Sequence, residues 1–317
     1  ISIGGFVPPF FMLINYSDHI NKLNDFRKGK VPEALKLGHK EIDSSFRFVA
    51  GNMNFILGHN NVGKTHFTFY LMLLYSLEHN IRWLVFSSEN DATQLIKKLI
   101  EFIEGKPINK IEEADYEQSK DFVYNHFKFV DTNRQYTYKQ LLKLATKVKD
   151  AWEYHGLLID PINSLRKDLK NTNGYEYNYV QLTDIRIFCK THNISTWICA
   201  HAVTESLRRK HSANHQFSGQ VPPPTLGDSE GGAVNGNRSD DFLVVHRYIS
   251  SPDSWMYTRL YVCKVKEISM GYKPTNHEQP ILFKSILNNV GFQVGGKNLI
   301  KYRTKKQLTI DNPRKSI

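Results

Sequence analysis

The sequence contains few cysteines and no long apolar run. Its three cysteines, Cys189, Cys199 and Cys263, have neither paired nor metal-type spacing among 317 residues. This argues against a disulfide framework and suits a reducing compartment, where we expect them to be small buried hydrophobic residues. No apolar run approaches the roughly 18 residues that a membrane helix needs, and the N-terminal FVPPFFMLI is split by two prolines. We therefore expect a soluble, cytoplasmic protein with no membrane partner.

Acidic residues are also outnumbered by basic ones. The chain has 42 Lys and Arg against 31 Asp and Glu, a formal net charge of +11 and a pI near 9.3. This balance favours a polyanionic partner such as nucleic acid, although it serves solubility in many proteins. Hydrophobic residues make up 40% of the chain, which is enough for a sizeable core in one large or two small domains.

The stretch FILGHNNVGKTHF, residues 55–67, fits the phosphate-binding pattern G-x-x-x-x-G-K-S/T. A short apolar run precedes it, and a long apolar-rich stretch free of glycine and proline follows it, which is the strand and helix setting that the pattern requires. A chance glycine-rich turn is the alternative. We predict that this P-loop binds ATP or another nucleoside triphosphate. The residues concerned are Gly58, Asn61, Gly63, Lys64, whose amine reaches the outer phosphate oxygens, and Thr65, whose hydroxyl holds Mg²⁺.

Short apolar runs alternate with longer amphipathic stretches from about residue 46. This alternation is typical of an α/β fold with a mostly parallel twisted sheet flanked by helices. Beyond residue 255, apolar runs separated by glycine and proline predict an antiparallel extension of the same sheet. The predicted strands are 53–57, 83–87, 127–130, 157–160, 195–200 and 241–246, and the predicted helices include 91–104 and 137–155.

We predict three regions along the chain. Residues 1–40 form an N-terminal arm or linker with a short helix at 17–27. Residues 41–294 form the nucleotide-binding domain. Residues 295–317 form a basic C-terminal tail that is a solvated end.

A long segment between His201 and Asp241 has little regular pattern. It contains Arg208, Arg209 and Lys210, three consecutive prolines and several glycines. Loops longer than about 12 to 15 residues inside a compact domain are usually functional or disordered. We therefore predict that this segment is a contact surface.

Three polar side chains follow predicted strands at the edge where open α/β sheets place their ligands. Asp160 ends the run GLLID, where its carboxylate can hold Mg²⁺ beside the P-loop, unless it only caps a strand before Pro161. Glu89 in WLVFSSEN can orient the water that attacks the γ-phosphate, unless it only caps the helix starting near Asp91. His201 ends the run STWICAH and can contact the γ-phosphate, although a lone histidine is more often structural.

The order of five segments along the chain resembles one protein family. GHNNVGKT, FSSEN, LLIDPINSL, WICAH and GDSEGGAVNGNRSDDFLVVHR follow each other as in the RecA-like motor domain of DnaB-type replicative helicases. That family includes phage primase-helicases and the mitochondrial replicative helicase. The resemblance covers residues 36 to about 294. It implies a RecA-like P-loop NTPase that assembles into a ring, usually a hexamer, hydrolyses nucleoside triphosphate between subunits and moves along single-stranded DNA. It also implies a primase or a loader as a further partner.

The resemblance assigns roles to individual residues. Lys64 and Thr65 fall on the P-loop positions, Glu89 on the catalytic glutamate and Asp160 on the metal-side aspartate. His201 falls on the position that links the γ-phosphate to the DNA loops. The residues expected to contact DNA, in the long segment defined above, are Arg208, Arg209, Lys210, Gly231, Gly232, Asn237 and Arg238. Small residues allow close approach and cations bind phosphate, which is what a loop tracking the DNA backbone needs.

The sequence departs from the family at one position. Family members carry a Lys-x-Arg pair that reaches into the neighbour's nucleotide site, whereas VCKVKE supplies Lys264 and Lys266. Lysine neutralises transition-state charge but cannot grip two phosphate oxygens with a planar fork. Either Lys266 suffices, or Arg247 or Arg259 substitutes, or hydrolysis is slow. A solvated cationic face on an alternating strand is the structural alternative.

Two further functions fit the same residues. A RecA-class recombinase has a similar core but assembles open filaments. A nucleotide-gated loader or DNA-binding accessory binds nucleotide and scarcely hydrolyses it, which the missing arginine would explain.

Overall fold

The computed structural model describes residues 16–29, 34–168 and 173–300. The chain divides into two compact units, Ile1–Glu33 and Ala34–Ile317. In the first unit, helix α1 spans Ser17–Arg27, as predicted. The other described helices and strands belong to the second unit. Within these ranges, no helix has the length and apolar character needed to cross a membrane.

The second unit alternates helices and strands up to β6 and then continues as strands. Its helices are α2 (Lys40–Asp43), α3 (Lys64–His79), α4 (Ala92–Glu104), α5 (Glu113–His126), α6 (Tyr138–Ala151), α7 (Gly174–His192) and α8 (Val234–Arg238). Its strands are β1 (Met53–Gly58), β2 (Trp83–Ser87), β3 (Phe127–Phe129), β4 (Gly156–Asp160), β5 (Ser195–His201), β6 (Asp241–His246), β7 (Tyr257–Val265), β8 (Ile281–Ser285), β9 (Phe292–Val294) and β10 (Lys297–Asn298).

All described strands form one sheet in the order β10-β9-β8-β7-β6-β1-β5-β4-β2-β3. Strands β1 to β6 pair in parallel, and β6 to β10 pair antiparallel to one another. The predicted parallel sheet with an antiparallel C-terminal extension is therefore confirmed. All six predicted strands are present, and their ends differ from the prediction by at most one residue.

Helix caps explain where two of the helices begin. The Asp91 carboxylate accepts a hydrogen bond from the backbone N–H of Gln94 at the start of α4. At α6, Thr137 and Gln140 form a capping box, in which each side chain bonds the other residue's backbone N–H. The predicted end of this helix at residue 155 is wrong. The helix stops at Ala151 because Trp152 is extended, and the chain then turns into β4.

The two faces of the sheet carry separate apolar cores. One core contains α3, α4 and the inner faces of the C-terminal strands, and in it the rings of Trp83 and Trp197 meet at 4.8 Å. The other core contains α6 and α7, with Phe55 and Phe242 stacked at 6.0 Å. Because both faces are covered, the parallel strands are continuously buried instead of alternating between apolar and polar residues.

Residues near both ends of the second unit also belong to its core. Leu37, before the predicted start at residue 41, is fully buried, and so is Ile300, after the predicted end at residue 294. The division into arm, nucleotide-binding domain and tail stays a prediction. Cys189 and Cys199 are buried free thiols, as expected, whereas Cys263 is half-buried.

A buried acid lies at the start of β6. The Asp241 carboxylate is fully buried and accepts a hydrogen bond from the Tyr272 hydroxyl at 3.0 Å. Burial, assisted by the neighbouring Asp240 charge, raises the pKa of Asp241 to about 7. In the unfolded chain this group has a pKa of about 3.9. Unfolding between these pH values releases a proton, so this carboxyl makes the protein less stable as pH rises from about 4 to 7.

Replacing Asp241 with Asn should remove this pH dependence, because the amide does not ionise. We expect the free energy of unfolding of Asp241→Asn, relative to that of the wild type, to increase by about 3 kcal/mol between pH 4.5 and pH 7.5. Urea unfolding of both proteins at the two pH values measures this, since all other titrating groups cancel. An equal difference at both pH values would mean that folding does not shift this carboxyl.

Candidate nucleotide-binding site

The P-loop connects the end of β1 to the start of α3. Asn61 and Gly63 have φ of 62° and 84°, in the left-handed region that favours asparagine and glycine. A Cβ at Gly58 would lie 2.7 Å from the Val245 carbonyl oxygen on β6. Gly58 is therefore required for the close approach of two strands, and Gly63 for the turn into the helix.

Lys64 connects the loop to strand β5. Its Nζ donates to the Ala200 carbonyl at 3.0 Å and lies 3.3 Å from Nδ1 of His201. The other ring nitrogen, Nε2, lies 3.2 Å from Oε1 of Glu89. An ammonium group only donates and a carboxylate only accepts, so the histidine tautomer protonated at Nε2 satisfies both contacts. Three residues selected from the sequence thus form one chain, Lys64 to His201 to Glu89.

Thr65 and Asp160 are also in direct contact. The Thr65 hydroxyl donates to Oδ2 of Asp160 at 2.8 Å, and Ser87 approaches the same oxygen at 3.4 Å. Burial raises the pKa of the Asp160 carboxyl, whereas the Thr65 hydrogen bond and the Lys64 charge lower it. Parallel pairing of β2 and β4, with Ser87 opposite Asp160, holds the carboxylate at this edge.

The donor set fits Mg²⁺. The Thr65 hydroxyl and the Asp160 carboxylate are hard oxygen ligands side by side, and Mg²⁺ is usually held by one or two carboxylates together with substrate phosphates. Nowhere in the described ranges do three or more His, Cys, Asp or Glu side chains form a cluster that could hold a metal by themselves. The arrangement therefore suits an ion that enters with a nucleotide.

A cavity of about 750 Å³ lies beside Lys64 and Thr65. Its lining includes the P-loop, Glu89 and His201, together with Thr204, Leu207 and Glu230 of the long segment after β5. This volume lies in the usual range for small-molecule pockets. The segment that the sequence selects as a DNA contact therefore forms part of the wall of this cavity.

Two side chains that sequence reasoning did not select join this segment to the site. His59, inside the P-loop, contacts the Ser206 hydroxyl through Nε2 at 2.9 Å, and both side chains are buried. Glu230 accepts a hydrogen bond from Asn163, which follows β4. His59 and Glu230 both lie in the quoted motifs, but the x positions of a P-loop pattern specify no residue type, so the sequence offered no signal for His59.

The basic residues that could reach into a neighbour's nucleotide site lie in different parts of the sheet. Lys266 pairs with Asp240 at 3.2 Å, at the start of β6 and thus at the opposite edge of the sheet from the P-loop. Lys264 donates to three backbone carbonyls at the end of α8. Arg259 is buried, with its guanidinium 4.8 Å from the ring centres of both Phe217 and Tyr248. This burial argues against Arg259 as the residue that reaches into a neighbour's nucleotide site.

Arg247 lies beside the P-loop of its own chain. Its guanidinium donates twice to the Trp255 carbonyl, and Nη1 is 3.6 Å from the position of a Cβ on Gly63. This placement suits a contact with the chain's own nucleotide better than one with a neighbour's.

The predicted DNA-contact residues are spread along the segment. Arg208 is exposed and pairs with Glu205, and Arg209 pairs with Asp228. The remaining predicted DNA contacts follow Arg209 along the segment. Lys210 and Asn237 are exposed, Gly231 and Gly232 form a turn with positive φ, and Arg238 ends α8.

Comparison by sequence finds no matching protein-family model and no matching curated protein. Solved structures do match. An ATPase domain of known structure superposes with a TM-score of 0.70 at 13% identity, covering 88% of this chain and 98% of that chain. "The Structure Of A DnaB-Like Replicative Helicase And Its Interactions With Primase" superposes with a TM-score of 0.68 at 12% identity, covering 88% of this chain and 66% of that chain. At such identities the likeness shows the fold alone, a RecA-like arrangement of a mostly parallel sheet flanked by helices, as predicted.

Gly58 provides a test of the P-loop geometry. Gly58→Ala should push β1 and β6 apart and cost about 1 to 3 kcal/mol, because the new methyl meets a backbone carbonyl that cannot rotate away. We expect a lower melting temperature and weaker nucleotide binding. Gly174→Ala is the matched control, since a Cβ there meets nothing within 4 Å. Equal melting temperature and affinity for the two variants would contradict the close approach.

Proposed function

We propose that this chain is the motor domain of an ATP-driven, ring-forming helicase or translocase that moves on single-stranded DNA during DNA replication. The observation that carries the proposal is the continuous chain of contacts from Lys64 through His201 to Glu89, beside the pair of Thr65 and Asp160. A site that only binds nucleotide needs the lysine and the hydroxyl. Hydrolysis additionally requires a glutamate in position to orient the attacking water.

Each residue has a defined task in that reaction. Lys64 neutralises charge on the outer phosphate oxygens. The Glu89 side chain is 53% exposed, so it can accept a hydrogen bond from His201 and still orient an attacking water in line with the γ-phosphate. His201 contacts both Lys64 and Glu89, so a γ-phosphate that binds either residue would also act on the contacts of its ring. Thr65 and Asp160 would hold Mg²⁺, which when bound neutralises charge developing on the phosphates.

The DNA side of the proposal rests on the segment after β5. Its residues line the nucleotide pocket at Thr204 and Glu230, and the same segment continues into the turn at Gly231 and the cation of Arg238. A change at the γ-phosphate can therefore reach the DNA contacts through a short stretch of chain. We propose a homo-oligomeric ring, usually a hexamer, with single-stranded DNA inside and a primase or loader as an additional partner.

One observation favours the nucleotide-gated accessory as a second candidate. Lys264 and Lys266 are both engaged within their own chain, the first by carbonyls at the end of α8 and the second by Asp240. If neither reaches a neighbour, the site lacks a trans-acting cation and turns over slowly. Measuring hydrolysis separates the two candidates.

Glu89→Gln should abolish turnover while keeping nucleotide affinity. Glutamine still accepts the hydrogen bond from His201 but is no base, so we expect ATP hydrolysis to fall by about 100-fold or more. The measurement is the ATPase rate with and without single-stranded DNA on samples of known oligomer size, together with binding of a fluorescent nucleotide.

The matched control is Glu117→Gln, which changes a half-exposed glutamate on α5, away from the pocket. Wild-type protein that shows no DNA-stimulated hydrolysis in any oligomeric state would contradict the motor. Unchanged hydrolysis in Glu89→Gln would contradict the role of this glutamate.

Lys266 tests whether lysine acts in place of the family's arginine. If its ammonium reaches the neighbour's nucleotide, Lys266→Ala should lower kcat by about 100-fold with nucleotide affinity retained, and Lys266→Arg should retain or raise kcat. Lys273→Ala is the control, since Lys273 is exposed elsewhere on the surface. Melting temperatures show whether loss of the Asp240 pair destabilises the fold. Unchanged kcat in Lys266→Ala would exclude the trans role.

A further inference from the structure

Helix α7 presents tyrosine rings on its exposed side. Tyr175 is 64% exposed and Tyr179 is 45% exposed. Residues four apart on a helix lie on one face, so the two rings are neighbours. The opposite side of α7 packs Tyr177, Leu182 and Ile185 into the core. The packing of α7 against the core therefore does not depend on the rings of Tyr175 and Tyr179.

Contacts place this tyrosine face, defined as Tyr175 and Tyr179, beside the residues that the sequence selects for DNA. The Arg238 guanidinium lies 3.7 Å from the centre of the Tyr179 ring. The side-chain amide nitrogen of Asn178 is 3.1 Å from the position of a Cβ on Gly231. The tyrosine face is therefore continuous with the glycine turn and with the cation at the end of α8.

Arg186 fixes this arrangement. Its guanidinium donates to the Arg238 carbonyl and pairs with the Asp240 carboxylate, so it joins α7 to the end of α8. Arg238 thus extends over Tyr179 from an anchored backbone. The Arg238 guanidinium covers one face of the Tyr179 ring, and an arginine plane, like an aromatic ring, can itself stack on a planar group.

The chemistry of the tyrosine face indicates which kind of ligand it fits. Cations and backbone amides bind phosphates, whereas the aromatic rings of tyrosines contribute little to phosphate binding. Exposed rings next to a cation fit unpaired bases, since every base has a face that stacks and the backbone beside it is anionic. Bases of a duplex are stacked inside and cannot reach the rings. The net charge of +11 agrees with an anionic strand.

We propose that Tyr175 and Tyr179, flanked by Arg238, form a platform on which bases of single-stranded DNA stack. The inference rests on the proposed function and adds a mode of contact to it. The loop residues follow the phosphates, and the rings take the bases without reading their sequence. Such stacking tolerates any sequence, as a translocating motor requires.

The test compares two labelled oligonucleotides of equal length by fluorescence anisotropy at one salt concentration. One is oligo-dT and the other has abasic sites in place of all bases. We expect the wild type to bind oligo-dT more tightly. Tyr175→Ala and Tyr179→Ala should each weaken oligo-dT binding by at least about fivefold and leave abasic binding unchanged. Tyr179→Phe keeps the ring and should retain wild-type affinity.

Tyr124→Ala is the matched control, because Tyr124 is 74% exposed on α5 and should affect neither oligonucleotide. Absence of any wild-type binding to single-stranded DNA would overturn the proposed function. Wild-type binding that is equal for both oligonucleotides and unchanged in the tyrosine variants would overturn the platform alone. A change of oligomer size in the tyrosine variants, with an equal loss for both oligonucleotides, would show that the face joins copies of this chain and would also overturn the platform.

Discussion

Parallel pairing of β1 with β5 and of β2 with β4 is the constraint on which the site depends. Gly58 lies opposite His201, and Ser87 lies opposite Asp160, so all four strands end at one edge. A shift of either pair by one residue would reverse the face of every side chain on the strand. Both faces of these strands are buried, which makes such a shift very unfavourable. The register therefore sets the distances among the P-loop, the carboxylate and the histidine.

The site buries charged groups that are only partly neutralised by the protein. Lys64 and Asp160 are 6% and 2% exposed, and isolated charges at such burial are strongly unfavourable. Their hydrogen bonds to Ala200 and Thr65 offset part of this. A triphosphate with a metal ion, as in the proposed function, would supply complementary charges.

The long segment after β5 is joined to the nucleotide pocket at several points along its length. His59 contacts Ser206 near its beginning, and Asn163 contacts Glu230 further along. Lys264 bonds the carbonyls at its far end, where α8 stops. Because these contacts come from the P-loop, from the chain after β4 and from β7, the segment is held by three parts of the sheet. A wall of the nucleotide pocket and the proposed surface for DNA are consequently one piece of structure.

The α/β class, the six strands of the first part of the sheet and the P-loop with its partners follow from the sequence alone. Burial on both faces leaves apolar runs, and phosphate binding demands particular residues at fixed spacing. Which side chains meet across distant segments became clear only in the folded chain. The contact of His59 with Ser206, the burial of Arg259 against two rings that stack on each other and the contact of Tyr179 with Arg238 all join residues far apart in sequence. Local patterns also missed the end of α6 at Ala151, since the extended backbone that follows is set by the approach to β4. Periodicity records how one element is buried, whereas these contacts depend on how separate elements pack together.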